Sequence, residues 1–244
     1  MLDRQRTIFE RRYAKAFSKA LREQLNSVLK IEDYSTIGQR IELVVKEDPI
    51  IDVFSKLYPD VGVWYAVDTN RKLRKRLGKS DGWTDIWFRT MQTYGLTEAG
   101  QRITWITEAS RALILDIIRT SFAEINTGIG ISQATDIIHR ELKKRYGKIE
   151  RWRAMRIANT EVHTAANRGS LAGVEALGVP YRKVWLVGGR NIRPTHQALN
   201  GTSVGQHEDF NVGIGRAKYP GDTRLPAEES INCKCTLLYE PIEN

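Results

Sequence analysis

A change of residue type near position 180 most constrains the fold of this chain. Before it, apolar residues recur every three or four positions over long stretches, which is the period of an amphipathic helix. After it, glycine, proline, asparagine and both cysteines gather between short apolar runs. Such runs separated by turn-forming residues are typical of short strands and loops. The pattern therefore predicts an α+β protein, in which a mostly helical N-terminal region precedes a small α+β C-terminal domain with short strands and Gly/Pro-rich loops.

The helical part is predicted to divide at its glycines and prolines. The first helix covers residues 3–29, and its apolar stripe begins with Phe9, Tyr13 and Phe17. Such a stripe must be buried, either against its own domain or in a groove on a partner. Pro59 is predicted to separate two helices, the second of which ends at Gly78. Further helices are predicted over 83–94, 97–126, 132–146 and 150–177, with breaks at Asp81-Gly82, Gly128, Gly130 and Gly147.

Short strands are predicted in the C-terminal part at residues 184–187 and 235–239, where apolar residues cluster. Pro194 fits the first turn of a short helix. Asn200-Gly201 predicts a turn or hairpin. Residues 211–230 are rich in glycine and proline and are predicted to form a loop. These elements are too short to be more than parts of one small domain.

Composition excludes some classes of protein and favours others. The chain has 244 residues, 41% of them hydrophobic, which is enough for a core. It lacks an uninterrupted apolar run long enough to cross a bilayer, so no membrane partner is expected. Its N-terminus lacks the apolar segment of a signal peptide, which predicts synthesis in the cytoplasm. We therefore expect a protein that is made in the cytoplasm and acts away from membranes.

The charge balance favours a polyanionic partner. Lysine and arginine number 38 against 29 acidic residues, giving a net charge of +9. This excess is compatible with non-specific contact to double-stranded DNA, although solvated helix faces often carry similar charge. The residues expected to contact DNA lie in two basic runs: Arg71, Lys72, Arg74, Lys75 and Arg76, and Lys143, Lys144 and Arg145.

The two cysteines form a candidate metal site. Cys233 and Cys235 are two positions apart, so on a strand their side chains would point to the same face. Two thiolates can chelate zinc, and imidazoles from His196 and His207 would complete four ligands. In the alternative, the cysteines are small buried hydrophobic residues and His196 bonds to a loop carbonyl. Apart from such a structural zinc ion, no cofactor is expected.

The order of motifs in the C-terminal part resembles that of the phage Mu F-like family of minor head proteins. The family has a Trp, an Asp/Asn-x-Arg-x-x-His element, a Gly, a Pro-Gly-Asp-like turn and a closing Asn-Cys-Arg-Cys. In this chain they are matched by Trp185, Asn191-Ile-Arg193-Pro-Thr-His196, Gly201, Pro220-Gly221-Asp222 and Asn232-Cys233-Lys234-Cys235. On the preceding helix, Ala158-Asn159-Thr160-Glu161 is in the place of the usual Ala-Arg-Thr-Glu. The resemblance places a domain at 129–244, after a helical docking and assembly region at 1–128.

The resemblance implies a low-copy component of the capsid interior, within the virion, that acts in head morphogenesis. Its expected partners are the portal protein, the major capsid protein or scaffold, and double-stranded DNA during packaging and ejection. Catalysis is not expected. One alternative is a nuclease or toxin-type enzyme that uses a C-terminal cluster, and another is a nucleic-acid-binding module without a capsid role. The candidate catalytic residues are Glu161, His163, Arg193, His196 and Asp222, of which Arg193 and Asp222 would otherwise form a loop-pinning ion pair.

Overall fold

The computed structural model describes residues 2–78, 85–125 and 129–242, and these residues form an α+β protein. The helical part consists of α1 (Leu2–Val28), α2 (Ile37–Val44), α3 (Asp48–Arg76), α4 (Asp85–Leu96), α5 (Gly100–Glu124), α6 (Ile131–Glu141) and α7 (Gly147–Glu175). The remainder consists of β1 (Tyr181–Leu186), α8 (Pro194–Gln197), β2 (Ser203–Gly205), β3 (Phe210–Val212), β4 (Gly215–Ala217), α9 (Ala227–Ser230) and β5 (Thr236–Pro241). The predicted fold class is confirmed. Across the described ranges, no helix combines the length and apolar character needed to span a bilayer.

The apolar stripe of α1 is buried within the chain's own core. Phe9, Tyr13 and Phe17 are buried in one hydrophobic cluster with residues of α3, α5 and α7. Phe17 packs edge-on against Phe54 of α3, with ring centroids 5.9 Å apart. Two alternatives were considered for this stripe, its own domain or a groove on a partner. The structure shows the first, because the stripe is buried against the protein's own fold.

The predicted helix break at Pro59 is wrong, because α3 continues through this proline. An internal proline costs a helix about 3 kcal/mol through a lost hydrogen bond and a steric clash. Here Leu57, Tyr58 and Val61 are buried on both sides of it. Burial of each such side chain contributes about 1.5–3 kcal/mol, which outweighs the local cost.

The predicted helix end at Gly147 is also wrong. A π-helical turn over Leu142–Tyr146 joins α6 to α7, and Gly147 continues the helix with φ −62°. A glycine ends a helix when it adopts the left-handed conformation. Gly78 and Gly178 do so after α3 and α7, with φ of 63° and 65°. Residue type alone did not distinguish these glycines from Gly147. Three predictions fall outside the described residues: the break at Asp81-Gly82, the start of the helix predicted from Trp83, and the break at Gly128.

Helices α3 and α7 run parallel and nearly touch. A side-chain carbon on Gly169 of α7 would collide with the backbone oxygen of Gly62 in α3, and one on Gly173 would collide with that of Ala66. Glycine is needed at such positions because any larger residue would force the helix axes apart. The contact joins the regions on either side of residue 128 in one core. The boundary at 128 itself stays a prediction.

The C-terminal strands form two small sheets. Strand β1 is the centre of an antiparallel sheet with order β2-β1-β5, and β3 pairs with β4 in a hairpin. Two predictions need correction here. Residues 211–230 contain β4, α9 and most of β3 rather than only loop, and Cys233 and Cys235 lie just before β5 rather than on it. Three-residue strands are too short to show an alternating pattern in the sequence.

A buried histidine–cysteine cluster as the candidate functional site

His196, Cys233 and Cys235 meet beneath the surface of the C-terminal region. Their ligand-type atoms all lie within 4.8 Å of one another, and all three residues are buried. Nδ1 of His196 is 3.4 Å from Sγ of Cys235 and 3.6 Å from Sγ of Cys233. One ring nitrogen therefore faces both sulfur atoms.

Local backbone geometry brings the three residues together. Arg193 is extended and Pro194 begins α8, which places His196 within the single turn of that helix. Asn232 adopts a left-handed conformation with φ 57°, and its N–H donates to Oγ1 of Thr160 on α7. Asparagine tolerates this conformation better than most residues do. The turn sets the path of the backbone that leads into Cys233.

Trp185 and Glu229 flank the imidazole of His196. The indole of Trp185 packs edge-on against the ring of His196 at 5.5 Å between centroids. Nε2 of His196 is 3.0 Å from Oε2 of Glu229, although the carboxylate lies off the direction of a good N–H hydrogen bond. The hydroxyl of Thr195 donates to the same carboxylate oxygen at 2.9 Å. The ring therefore lies between two sulfur atoms on one side and a carboxylate on the other.

The two sulfur atoms have different environments. The thiol of Cys233 donates a hydrogen bond to the sulfur of Cys235, which lowers the pKa of Cys235. His196 and the backbone N–H of Gly188 also lower it. The same hydrogen bond, together with burial, raises the pKa of Cys233. The backbone N–H of Cys235 in turn donates to the Cys233 sulfur. The hydrogen bond between the two groups thus favours the thiolate form of Cys235 and the thiol form of Cys233.

A cavity of about 590 Å³ adjoins the cluster. His196 and both cysteines line it, together with residues 188–193, Arg156 and the segment from Ile231 to Lys234. Arg156 and Arg193 give this cavity a cationic lining. The cluster therefore adjoins a space whose cationic wall suits water or a small anion.

The predicted metal ligand His207 is not part of the cluster. It is exposed between β2 and β3, where its Nε2 lies 2.7 Å from Nε2 of Gln206. The structure thus brings together three of the four predicted ligands. The predicted structural-motif residues other than Asp222 surround the same cluster or shape its loops, and the N–H of Gly201, with φ 81°, donates to the carbonyl of Trp185.

The candidate catalytic residues do not converge on one site. Glu161 pairs with Arg102 at 3.2 Å and accepts a hydrogen bond from Tyr58 at 2.6 Å. His163 is fully buried, and its Nε2 lies 2.5 Å from the carbonyl of Cys235. Burial, and then the charges of Arg6 and Lys234, lower the pKa of His163 to about 3. Neither side chain is available as a general base.

The predicted ion pair between Arg193 and Asp222 is wrong. Arg193 donates to the carbonyl of Ile231, beside the cysteine loop. Asp222 pairs with Arg224 at 2.8 Å and accepts the backbone N–H groups of Lys218 and Arg224. Both residues therefore fix loops, but separate ones.

Three buried polar residues that sequence reasoning missed help to hold this region. Arg102 of α5 donates to Glu161, to Thr164 and to the carbonyl of Gly221. Lys183 of β1 is 1% exposed and donates to the carbonyls of Glu208 and Lys218. The third is Glu229, which lies beside His196. No sequence pattern pointed to these three residues, because each is an isolated charged residue outside any recognisable motif spacing.

The two predicted DNA-contacting runs lie far apart. Residues 71–76 end α3, beside the C-terminal part of the parallel helix α7, whereas residues 143–145 precede the N-terminus of α7. The intervening 29 residues of α7 span roughly 43 Å. Asp68 pairs with both Arg71 and Lys72, which reduces the free charge of the first run. The runs do not form one continuous surface.

A third basic surface lies between α1 and α7. Arg11, Lys15, Lys19 and Arg22 of α1 and Arg151 of α7 line a groove of about 820 Å³. Arg22 pairs with Glu150 at 2.8 Å. Within the described part of the chain, no acidic side chain forms an ion pair with Arg11, Lys15 or Lys19. Glu23 also lines this α1–α7 groove, and Arg11, Lys15 and Lys19 keep it predominantly basic.

Comparison with known proteins identifies the family. The family model described as Phage Mu protein F like protein matches residues 117–238, which is half of the chain. The chain belongs to this family, whose members are phage head-morphogenesis proteins. The resemblance inferred from the C-terminal motifs is confirmed.

Two curated relatives share part of the chain. The NAD(+)--arginine ADP-ribosyltransferase EFV of Enterococcus faecalis is 33% identical over 109 residues, covering 39% of this chain and 22% of that protein. The uncharacterized protein YqbB of Bacillus subtilis is 27% identical over 148 residues, covering 57% of this chain and 48% of that protein. The chain thus spans about a fifth and about half of the lengths of these relatives. No solved structure matches the chain.

Proposed function

We propose that this chain is a minor component of a tailed-phage head, located in the capsid interior of the virion and associated with the portal vertex. The observation that carries the proposal is the family match over residues 117–238. The structure adds a helical body and an exposed apolar groove, and the sequence has a net charge of +9, all of which are compatible with this role. The partners expected from this proposal are the portal protein, the major capsid protein or scaffold, and packaged DNA.

We propose the apolar groove as the docking surface for the portal protein. It lies between α5 and α7, has a volume of about 400 Å³ and is lined by apolar side chains such as Ile106 and Leu113. Trp105 and Trp152 are 43% and 60% exposed beside it. Exposed tryptophan is uncommon outside interaction sites and often carries binding energy. The guanidinium of Arg156 stacks on Trp152, so the matching partner surface would be apolar with an acidic rim.

Incorporation into heads tests this proposal. The chain, produced with its phage or prophage, should co-purify with protease-treated heads and crosslink through the groove to the portal. Trp152→Ser should reduce incorporation about tenfold or more, as expected when a central interface aromatic is lost. Ile214→Ser is the matched control, since Ile214 is exposed on the β3–β4 turn away from the groove. Absence of the wild-type chain from heads would overturn the head assignment, and crosslinks only to capsid protein or scaffold would overturn the portal assignment.

We also propose that the α1–α7 groove contacts double-stranded DNA without sequence preference. Its cations on α1 recur at three or four positions and so lie along one helix face. Each phosphate contact contributes about −0.9 to the slope of log affinity against log salt. Neutralising Arg11, Lys15 and Lys19 to glutamine should therefore reduce that slope by about 2.7. Neutralising residues 71–76 or 143–145 provides the comparison between surfaces, and unchanged binding in the α1 variant would assign the contact elsewhere.

An enzymatic function receives less support. The relative named as an ADP-ribosyltransferase is matched over 22% of its length, so its activity is not transferred to this chain. Glu161, His163 and Asp222 are each held in structural contacts. Nuclease turnover by the purified chain that disappears with His196→Ala would favour the enzymatic alternative.

A further inference from the structure

We infer that His196, Cys233 and Cys235 bind one zinc ion, and that the fourth coordination position opens onto the adjoining cavity and is held by water. Nδ1 of His196 and the two Sγ atoms are the ligands. This proposal does not depend on the role of the chain in phage heads. Zinc sites with three protein ligands and one exchangeable position are common where the ion remains accessible.

The geometry of the cluster matches that of a tetrahedral zinc site. Zinc–nitrogen bonds of about 2.1 Å and zinc–sulfur bonds of about 2.3 Å at a tetrahedral angle separate nitrogen and sulfur by roughly 3.6 Å. The observed separations are 3.4 and 3.6 Å. The ring also presents a single nitrogen to both sulfur atoms, as a shared ion would require. Packing of two thiols as small hydrophobic residues does not require this orientation.

The surroundings of the cluster are those expected around metal ligands. A histidine that binds a metal commonly turns its other ring nitrogen to a carboxylate, which fixes its orientation. Glu229 lies on this side of the ring, 3.0 Å from Nε2 but off the direction of its N–H. We therefore assign Glu229 as a positioning residue and not as a ligand.

The open fourth position follows from the cavity and the donor set. Among the described residues, no fourth histidine, cysteine or carboxylate joins the group of three. All three ligand residues line the same cavity of about 590 Å³. Arg156 and Arg193 lie on its wall and would attract a small anion to the ion. Water in the resting site, exchangeable for an anion, is therefore the expected occupant.

The experiment uses the full chain and metal ions alone as probes. Protein stripped with a chelator and titrated with zinc chloride should bind one equivalent. Cobalt(II) in place of zinc should give thiolate-to-cobalt charge-transfer absorption and the visible bands of a tetrahedral ion. Addition of azide should shift those visible bands. A chain that binds no zinc, or a cobalt form without charge-transfer absorption, would overturn the site. A bound ion whose spectrum ignores azide would overturn the open position.

Variants separate ligands from positioning and control residues. Cys235→Ser should abolish the charge-transfer band or leave that of a single thiolate. Glu229→Gln should weaken zinc affinity about 10–100-fold while keeping the same spectrum, since it alters orientation and not ligation. His207→Ala is the control and should leave affinity unchanged. If Cys235→Ser fails to fold, Glu229→Gln still provides a test. An unchanged zinc affinity in Glu229→Gln would contradict the positioning role assigned to Glu229.

Discussion

The helical body and the C-terminal region are held together by different interactions. In the body, α1, α3 and α7 share one large apolar cluster whose members recur at helical spacing. In the C-terminal region, the apolar clusters are small, and buried polar residues connect loops to one another. Arg102, Lys183 and His196 each bridge segments distant in the sequence. The body thus has the larger apolar core, whereas the small apolar clusters of the C-terminal region are supplemented by buried polar contacts between its loops.

This contrast bears on the proposed zinc site. Repeated apolar packing tolerates substitution when volume is conserved, whereas a buried polar contact depends on the identity of both partners. The candidate zinc cluster and the cavity beside it lie in the region with the second kind of organisation. The following predictions test the contrast, in order from the largest expected effect to the smallest.

The largest effect is expected at Arg102, which links α5 to both α7 and the loop at Gly221. Arg102→Leu removes four hydrogen bonds and leaves the carboxylate of Glu161 buried without its cation. Breaking a buried ion pair from one side costs about 3–5 kcal/mol. Urea unfolding should show this loss in the free energy of unfolding. The double variant Arg102→Leu with Glu161→Leu should recover part of it, and a loss below about 1 kcal/mol in the single variant would contradict the linking role.

A smaller loss is expected where α3 and α7 touch. Gly169→Ala places a methyl group against the backbone oxygen of Gly62, which has no side chain to move aside. Overpacking of this kind typically costs about 1–3 kcal/mol, and we expect the upper end. The matched control is Gly147→Ala in the same helix, where the added methyl meets open space. That change should stabilise the protein by about 0.5–1 kcal/mol, and equal effects at both positions would refute the close approach.

Asp222 tests the polar loops of the C-terminal region on their own. Asp222→Ala removes the acceptor for the N–H groups of Lys218 and Arg224 and the partner of the Arg224 guanidinium. Hydrogen bonds to a charged group contribute about 1.5–3 kcal/mol, so a loss of about 2 kcal/mol is expected. Thermal unfolding measures it, with Asp209→Ala as the comparison, because Asp209 binds Arg224 nearer the surface. A larger loss at Asp209 than at Asp222 would contradict this assignment.

The smallest effect concerns Lys183 and appears in the pH dependence of stability. Burial lowers the pKa of Lys183 below its usual value, so the unfolded chain binds more protons at alkaline pH than the folded chain. The contribution of this residue to stability therefore rises with pH between the folded and the unfolded pKa. Lys183→Met should remove that rise, seen as the difference between the wild-type and variant stability curves from neutral to alkaline pH. If the free energy of unfolding changed with pH in the same way in both proteins, burial of the Lys183 amine would not contribute to the pH dependence of stability.

Several features of the protein were determined by the sequence alone. The spacing of Phe9, Tyr13 and Phe17 predicted α1 and its buried stripe, because a helix fixes which side chains share a face. The shift to turn-forming residues near 180 predicted the α+β class. The order of motifs from Trp185 to Cys235 predicted the family, because the turns that join His196 to the cysteines need particular residue types.

Other features were decided only by the tertiary structure. Whether Pro59 or Gly147 ends a helix depended on the packing on both sides and on the sign of φ, which residue type does not reveal. His207 lies outside the cluster, whereas Glu229 lies beside it. Both outcomes depended on loops that bring together residues far apart in the chain. Local patterns determine local structure because neighbouring residues share one helix or strand. The composition of a buried polar site depends instead on contacts between distant segments, which no local pattern encodes.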